Sequence, residues 1–484
     1  VSLRFIDLFA GLGGFHLAMQ ELGHECVFAS EDNEVLREIY KRNFPKSAKV
    51  TYGDIRTHKN LVPPHDILCA GFPCQPFSKS GSQQGVLDKI RGTLFQEIID
   101  ILRIHKPTFV ILENVGNFEN HDDGRTWNLV RESLKLLGYD VKGTEHVASG
   151  GKGLISPHHL GYPHSRERFF IVAKQGKLPP NPLPVLQKDK KTDLATILLS
   201  SDELSDDEIV ETTLSPGHID CIDHWNNFLS LIPSEVNIPS FPIWADEIDA
   251  TYPYKRCTPI ECDIRILRYS LGYDINTDIT REKLLTSLPK YAKSKGDEFP
   301  DWKERFIHQN REWFKSIRNY IPQNWIDTLF TYPLSLRKME WNCKGEKRNL
   351  WEHVLQFRPS GLRVKRYSSS PALVAMTVTQ IPILGPQRRS LSRVEGLRLQ
   401  AFPDLHELPN ARGAAFKALG NAVHVGVVKK VAECLFTNNY NESVDMITHL
   451  NDQSASEQVS TEQLTFMDYC DEDIADEEIA IYEN

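Results

Sequence analysis

The sequence predicts a doubly wound α/β fold, a mostly parallel sheet with helices on both faces, joined to a second domain of irregular texture. Three observations carry that expectation. Short apolar runs alternate with helical patterns from residue 4 to about residue 173, the rhythm of βα units. Acids and a cysteine collect where those runs end: Glu31, Asp32, Asp54 and Glu113 close strands, and Cys74 follows one. Ligands in open α/β sheets bind at the carboxyl ends of the strands, so this placement points to one crevice. Beyond Lys174 the alternation stops, and Pro179, Pro180, Pro182 and Pro184 read as a linker.

Residues 4–9 (RFIDLF) form a buried-strand pattern, and the turn 10–14 (AGLGG) follows. Phe15, Ala18, Met19 and Leu22 then recur at helical spacing. Glycines let a ligand approach such a turn closely, although a purely structural turn fits the same residues. Residues 25–30 are the second strand. Glu31 at its end stands where a doubly wound nucleotide site places its ribose-hydroxyl acceptor, about 20 residues after the turn. A solvated strand-end acid is the alternative. Residues 50–55 make a third strand, whose Asp54 suits an adenine amino group or, equally, a turn or N-cap.

Residues 67–70 run apolar into GFPCQPFS (71–78). Prolines on both flanks stiffen the backbone around Cys74 and present a thiol at the tip of the sheet; a small core residue is the bland alternative. Residues 78–89 are polar and aperiodic, as a mobile lid would be. A helix opening at 91–95 carries Ile98, Ile99 and Leu102, and strand 108–112 ends in Glu113-Asn114-Val115. A helix over 126–137 and a strand over 140–147 continue the alternation. In 161–173 (GYPHSRERFFIVA), Arg166 and Arg168 share a face at period two, either as a surface pair or as a grip on a polar substrate.

The middle of the chain has no repeat. Helical patches are expected near 224–232, 280–295 and 302–320. From 341 to 366, Lys344, Lys347, Arg348, Arg358, Arg363, Lys365 and Arg366 interleave with Trp341 and Trp351, as in a nucleic-acid face or a solvated basic surface. Ser392 and Glu395 form a capping-box pattern, with the helix stopping near Gln400 before Pro403. Helical sequence resumes over 414–435, and beyond about 441 the acidic tail is expected to be disordered.

Charge is segregated. The net charge is −9, yet eleven acidic residues and no Lys or Arg lie beyond residue 450, so the rest of the chain carries about +2. Six more acids sit within 201–211. A basic body with its acid set apart is compatible with a polyanionic partner. No apolar run approaches the ~20 residues that cross a membrane, and the first residues enter a strand with no signal-peptide layout. Nine scattered cysteines without a CxxC pair imply a reducing cytoplasm and no metal site.

Taken in order, DLFAGLGGF (7–15), Glu31, GDI (53–55), GFPCQPFS (71–78), RGTLF (91–95), ENV (113–115), HSRER (164–168), RSLSRVEGLRLQAFP (389–403) and GNAV (420–423) resemble the bacterial-type DNA (cytosine-5)-methyltransferases. The likeness covers 1–175 and about 387–435. It implies the S-adenosyl-methionine-dependent methyltransferase fold, with 1–178 as the catalytic, cofactor-binding domain, 179–386 as the target-recognition domain and 387–440 as a return segment completing the first, leaving 441–484 as the tail. It implies S-adenosyl-L-methionine as cofactor and double-stranded DNA as substrate. The family's setting implies a cognate restriction endonuclease acting on the same site, and a monomer in the bacterial cytoplasm and nucleoid is expected.

By that resemblance, Phe9, Gly11 and Gly13 line the cofactor, with Asp7 beside them. Glu31 holds the ribose hydroxyls, Asp54 and Ile55 the adenine, and Pro73, Leu94 and Asn421 complete the pocket. Cys74 is the nucleophile, Glu113 the acid at the base, and Arg166 and Arg168 steady the flipped cytosine. Three positions depart from the family: His164 replaces its usual Gln, Ala401 its frequent Gly, and Ala372 its usual Thr.

The residue types suit the reaction. A thiolate added at C6 pushes electron density to C5 of cytosine, and a carboxylic acid protonates N3. Burial beside Val110 and Leu112 is expected to raise the pKa of Glu113. The target base must leave the stack to be reached. Two other readings remain at this stage: an RNA cytosine methyltransferase, against which the large middle region argues, and a DNA-binding protein whose catalysis has lapsed, against which Cys74, Glu113 and both arginines argue.

Overall fold

Seven strands in the first part of the chain build one sheet: β1 (Arg4–Leu8), β2 (Glu25–Ser30), β3 (Thr51–Tyr52), β4 (Ile67–Gly71), β5 (Phe109–Val115), β6 (Tyr139–Gly143) and, after the two-residue β7 (His164–Ser165), β8 (Arg168–Gln175). Their order in this computed structural model is β3-β2-β1-β4-β5-β8-β6. Pairings from β3 through β5 are all parallel, whereas β8 runs antiparallel to both β5 and β6. The chain winds outward from β1 in one direction and then outward from β4 in the other. The crevice between the carboxyl ends of β1 and β4 is therefore the switch point where such sheets bind ligands. The structure describes residues 2–73, 93–147, 151, 153–274, 276–294, 296–374 and 378–436. Cys74, the expected lid at 78–89 and the acidic tail lie outside them.

Burial explains the unbroken apolar strands. Phe5, Ile6, Leu8, Ile67, Leu68, Ala70, Val110, Ile111 and Leu112 have no exposure, because helices cover both faces of the sheet. The helices here are α1 (Gly14–Glu21), α2 (Glu34–Asn43), α3 (Ile55–His58), α4 (Leu94–His105), α5 (Arg125–Leu136) and the short α6 (Asp206–Thr212). In α4, Thr93 caps the first turn by accepting from the Gln96 N–H. Phe95, Ile98, Ile99, Ile101 and Leu102 are buried on one face, each worth roughly 1.5–3 kcal/mol.

Two strands are shorter than the sequence pattern suggests. The strand expected over 140–147 stops at Gly143, where a side chain would meet Trp127 and Phe169 at 2.7 and 2.8 Å. Thr144 Oγ1 then accepts the Phe170 N–H, which lets the chain leave the ladder with that donor satisfied. The strand expected over 50–55 is only Thr51–Tyr52, because the Asp54 side chain accepts the Arg56 N–H and starts α3.

Contacts divide the chain into two compact units. The first does not end at the proline cluster but runs to Thr212, and takes in Ser368–Ile381 and the chain from Leu391. Within it, β7 pairs with β13 (Ser370–Pro371). Helices α12 (Arg393–Leu399), α13 (Arg412–Asn421) and α14 (Val425–Phe436) return to it, α14 against α1. Ser392 and Glu395 form the expected capping box.

The second unit spans Thr213–Tyr367 and Pro382–Ser390. Its irregular texture hides a six-stranded sheet of β9 (Ile243–Trp244), β10 (Lys338–Asn342), β11 (Val354–Arg358), β12 (Gly361–Lys365), β14 (Ile383–Leu384) and β15 (Arg389–Ser390). Strands this short leave little periodicity to read. Around the sheet lie α7 (Pro216–Leu231), α8 (Ile264–Ser270), α9 (Arg281–Thr286), α10 (Asp301–Ile317) and α11 (Gln323–Leu329). Trp225, Phe228, Phe314, Trp325, Trp341 and Trp351 pack into its core. No described helix is long and apolar enough to cross a membrane.

Candidate active site

The loop after β1 is built to leave space. Phe9, Gly11 and Gly13 all have positive φ, at 58°, 53° and 82°. A side chain on Gly13 would strike the Phe44 ring at 2.2 Å, so only glycine fits there. A side chain on Gly11 would meet nothing within 4 Å: the turn faces open room at the end of the sheet. The Gly11 N–H donates to Glu31 Oε2 at 2.8 Å, and the Asn33 N–H donates to Oε1 at 2.9 Å. Each carboxylate oxygen keeps a second lone pair. Burial raises the Glu31 pKa, against these two backbone donors.

Asp7 sits beneath that turn with no exposure. The Tyr40 hydroxyl bridges Asp7 Oδ2 at 3.4 Å and His16 Nδ1 at 2.6 Å. Burial holds the Asp7 carboxyl well above the usual carboxylate range. Asp54 is the N-cap of α3, and Arg56 Nη2 approaches its Oδ2 at 2.5 Å, which lowers its pKa. Ile55 is buried, Leu94 is half-buried at the start of α4, Pro73 is exposed just after β4, and Asn421 is exposed at the end of α13. The groups after β1, β2, β3 and β4 occupy one edge of the sheet. Open space at Gly11, free lone pairs on Glu31 and a half-buried Phe9 fit a nucleoside with vicinal hydroxyls.

A second group of side chains lies one strand further along. Glu113, near the end of β5, is 8% exposed and pairs with Arg168 Nε at 3.1 Å. Burial raises its pKa, with Arg168 and then Arg166 opposing. Gly71 is its partner across β4, and a Cβ there would lie 3.6 Å from Glu113 Oε2. The carboxyl group therefore overlooks the strand that leads, three residues on, to Cys74. Asn114 Nδ2 donates to the Phe72 carbonyl at 2.9 Å and holds the exit of that strand.

Arg166 is almost wholly buried. Its Nη2 donates to the Ala422 carbonyl at 3.1 Å, while Nε and Nη1 have no partner among the described residues. Buried donors left free are rare and mark a place where an acceptor is to come. His164, on the same face, is fully buried with both ring nitrogens unpartnered among the described residues, and burial holds it neutral beside His424, Arg166 and Arg168. Gln400 Nε2 also reaches the Ala422 carbonyl, at 3.3 Å. Asn114 and Gln400 lie within motifs, ENV and 389–403, but their spacing does not mark either as a site residue.

The basic and aromatic stretch 341–366 divides differently. Trp341 and Trp351 are core residues, Arg348 donates to carbonyls of Ile232, Pro233, Ser234 and Val236, and Arg363 pairs with buried Glu340 at 2.8 Å. Its aromatic rings are therefore not a stacking surface, and several of its cations are spent within the unit.

Fold and site together define a class, a doubly wound α/β enzyme with an open glycine-rich turn at its switch point beside a carboxylate–arginine cluster. A model of the C-5 cytosine-specific DNA methylase family matches residues 3–232 and 272–437, and the chain belongs to that family. It is an enzyme of the DNA (cytosine-5) methyltransferase class, for which S-adenosyl-L-methionine is the implied methyl donor. Type II methyltransferase M.AluI of Cellulosimicrobium cellulans is 33% identical over 487 residues, covering 88% of this chain and 90% of that protein. Type II methyltransferase M.BanI of Aneurinibacillus aneurinilyticus is 29% identical over 459 residues, covering 91% and 97%. Type II methyltransferase M.HhaI of Haemophilus parahaemolyticus is 43% identical over 178 residues, covering 37% and 50%.

Proposed function

We propose that this chain methylates C5 of a cytosine flipped out of duplex DNA, with Cys74 as nucleophile. The observation that carries the proposal is Glu113: a buried, arginine-paired carboxyl group with a raised pKa beside the strand that leads to Cys74. S-adenosyl-L-methionine supplies an electrophilic sulfonium methyl group. The Cys74 thiolate adds to C6, forming the S–C6 bond as Glu113 delivers a proton to N3. Electron density gathered at C5 makes that carbon the nucleophile. Once C5 carries the methyl group, a base takes the C5 proton, the C6–S bond breaks to release the Cys74 thiolate, and the N3 proton returns to the Glu113 carboxylate, which restores the ring. Arg166, with two buried donors unpartnered among the described residues, suits the cytosine carbonyl oxygen; Arg168 holds Glu113 in place. Phe9, Gly11, Gly13, Glu31, Asp54, Ile55, Pro73, Leu94 and Asn421 form the cofactor pocket, with Asp7 supporting it from below. Asp54 takes the adenine amino group once exposed Arg56 turns aside.

The second unit reads the target sequence in this proposal, and the Type II names of the relatives support a modification role opposite a restriction endonuclease for the same site. The test is methyl transfer from radiolabelled S-adenosyl-L-methionine to unmethylated plasmid DNA. Cys74→Ala is expected to abolish transfer while leaving cofactor binding intact. Transfer by that variant at the native rate would contradict the covalent route.

A further inference from the structure

Tracing the backbone hydrogen bonds of the glycine-rich turn leads to a residue far along the chain. The Gly13 N–H donates to the Ala10 carbonyl at 2.7 Å, and the Gly13 carbonyl accepts from Leu17 at 2.9 Å. The Leu12 carbonyl, four residues before His16, would take the His16 N–H if the helix began one residue earlier. Leu12 is 1% exposed, so its carbonyl needs another donor. His406 Nε2 supplies it at 2.8 Å.

His406 is itself fixed on several sides. Its ring packs against Phe402 and Phe44, with centroids 4.6 and 5.7 Å away. Next to it, the Glu407 N–H donates to Asn43 Oδ1 at 2.8 Å, Asn43 Nδ2 donates to the Glu407 carbonyl at 3.1 Å, and Arg42 Nε meets Glu407 Oε2 at 2.5 Å. Two residues earlier, Arg398 grips Asp404 with both Nε and Nη2, at 2.8 and 2.7 Å. At the far end of the same strap, Gln400 Nε2 holds the Leu419 carbonyl at 2.5 Å and reaches the Ala422 carbonyl that also binds Arg166. Residues 400–407 thus tie the arginine wall of the active site to the turn after β1.

We propose that this strap is a positioning device for the methyl donor, with His406 as the positioning residue that holds the glycine-rich turn in its ligand-ready conformation. The inference rests on the reading of that turn as the cofactor pocket. A turn with Phe9 and two glycines at positive φ has nearby alternatives, and a fixed Leu12 carbonyl removes them before the ligand arrives. Loss of the donor lowers the fraction of molecules in the competent turn and weakens apparent affinity by that factor.

Calorimetric titration of the full chain with S-adenosyl-L-methionine tests this, with thermal melting run on each variant. His406→Phe keeps the ring packing and removes the donor. It is expected to weaken cofactor binding about ten-fold, raising KM for the cofactor with kcat on DNA little changed. His406→Gln, whose amide reaches like Nε2–H, is expected to restore most of the loss. Native affinity in a folded His406→Phe protein would overturn the proposal, as would equal weakening in both variants. If His406→Phe fails to fold, Asn43→Ala decides: it frees the same strap without touching Leu12, and weaker binding supports the proposal while unchanged binding overturns it. Failure of the wild-type chain to bind S-adenosyl-L-methionine would instead refute the cofactor reading itself.

Discussion

Glu113 is held between two opposing influences. Burial raises its pKa, and Arg168 and Arg166 pull it back. The folded protein therefore binds this proton more tightly than the unfolded chain does. The resulting stability is complete below the ordinary carboxylate pKa and is lost as pH rises through the raised value. The same proton is the one the proposed reaction uses at N3. Single-turnover methyl transfer is accordingly expected to decline as pH rises through that value. Glu113→Gln should slow transfer by about 10²–10⁴-fold and lose that decline; an unchanged rate and profile would remove Glu113 from the chemistry. Glu113 and the two arginines are legible in the sequence because strand ends and period two announce them. His406 is not, because its partner Leu12 lies 394 positions away and no local pattern encodes that bond.

At the scale of elements, special backbone positions separate what a sequence displays from what it conceals. Ala401 follows α12 with φ of 60°, a conformation that L side chains resist. Its departure from the family's frequent glycine thus carries a definite strain. Ala401→Gly is expected to stabilise the protein by about 1 kcal/mol, raising the melting temperature by roughly 2–4 °C; a lower melting temperature would contradict this. The turn 10–14, the caps at Thr93 and Ser392, and the apolar face of α4 are all readable, since each is encoded by neighbours in sequence. β3 and β6 end earlier than their patterns imply because Asp54 and Thr144 divert hydrogen bonds to their own side chains. In 341–366, charge and aromatic rings interleave along the chain, yet the rings turn inward and Arg348 caps carbonyls near the end of α7. Composition alone does not tell a core strand flanked by arginines from a nucleic-acid face.

At the scale of the whole molecule, the first unit is assembled from three separate stretches of chain, and the motif residues 391–403 and 420–423 belong to it even though the second unit intervenes. The spacing of motifs makes that return visible. The six-stranded sheet of the second unit is not visible, because two of its strands come from 383–390, beyond the stretch that carries the rest. The account's central claim concerns the chain as a whole: it places a methyl group on C5 of cytosine at a defined site in duplex DNA. The direct measurement is base-resolution bisulfite sequencing of plasmid DNA from cells expressing the protein, beside cells expressing Cys74→Ala. The account predicts protection of one cytosine within a single short motif in the first sample and none in the second. Absence of protection in both, or equal protection in both, would contradict it.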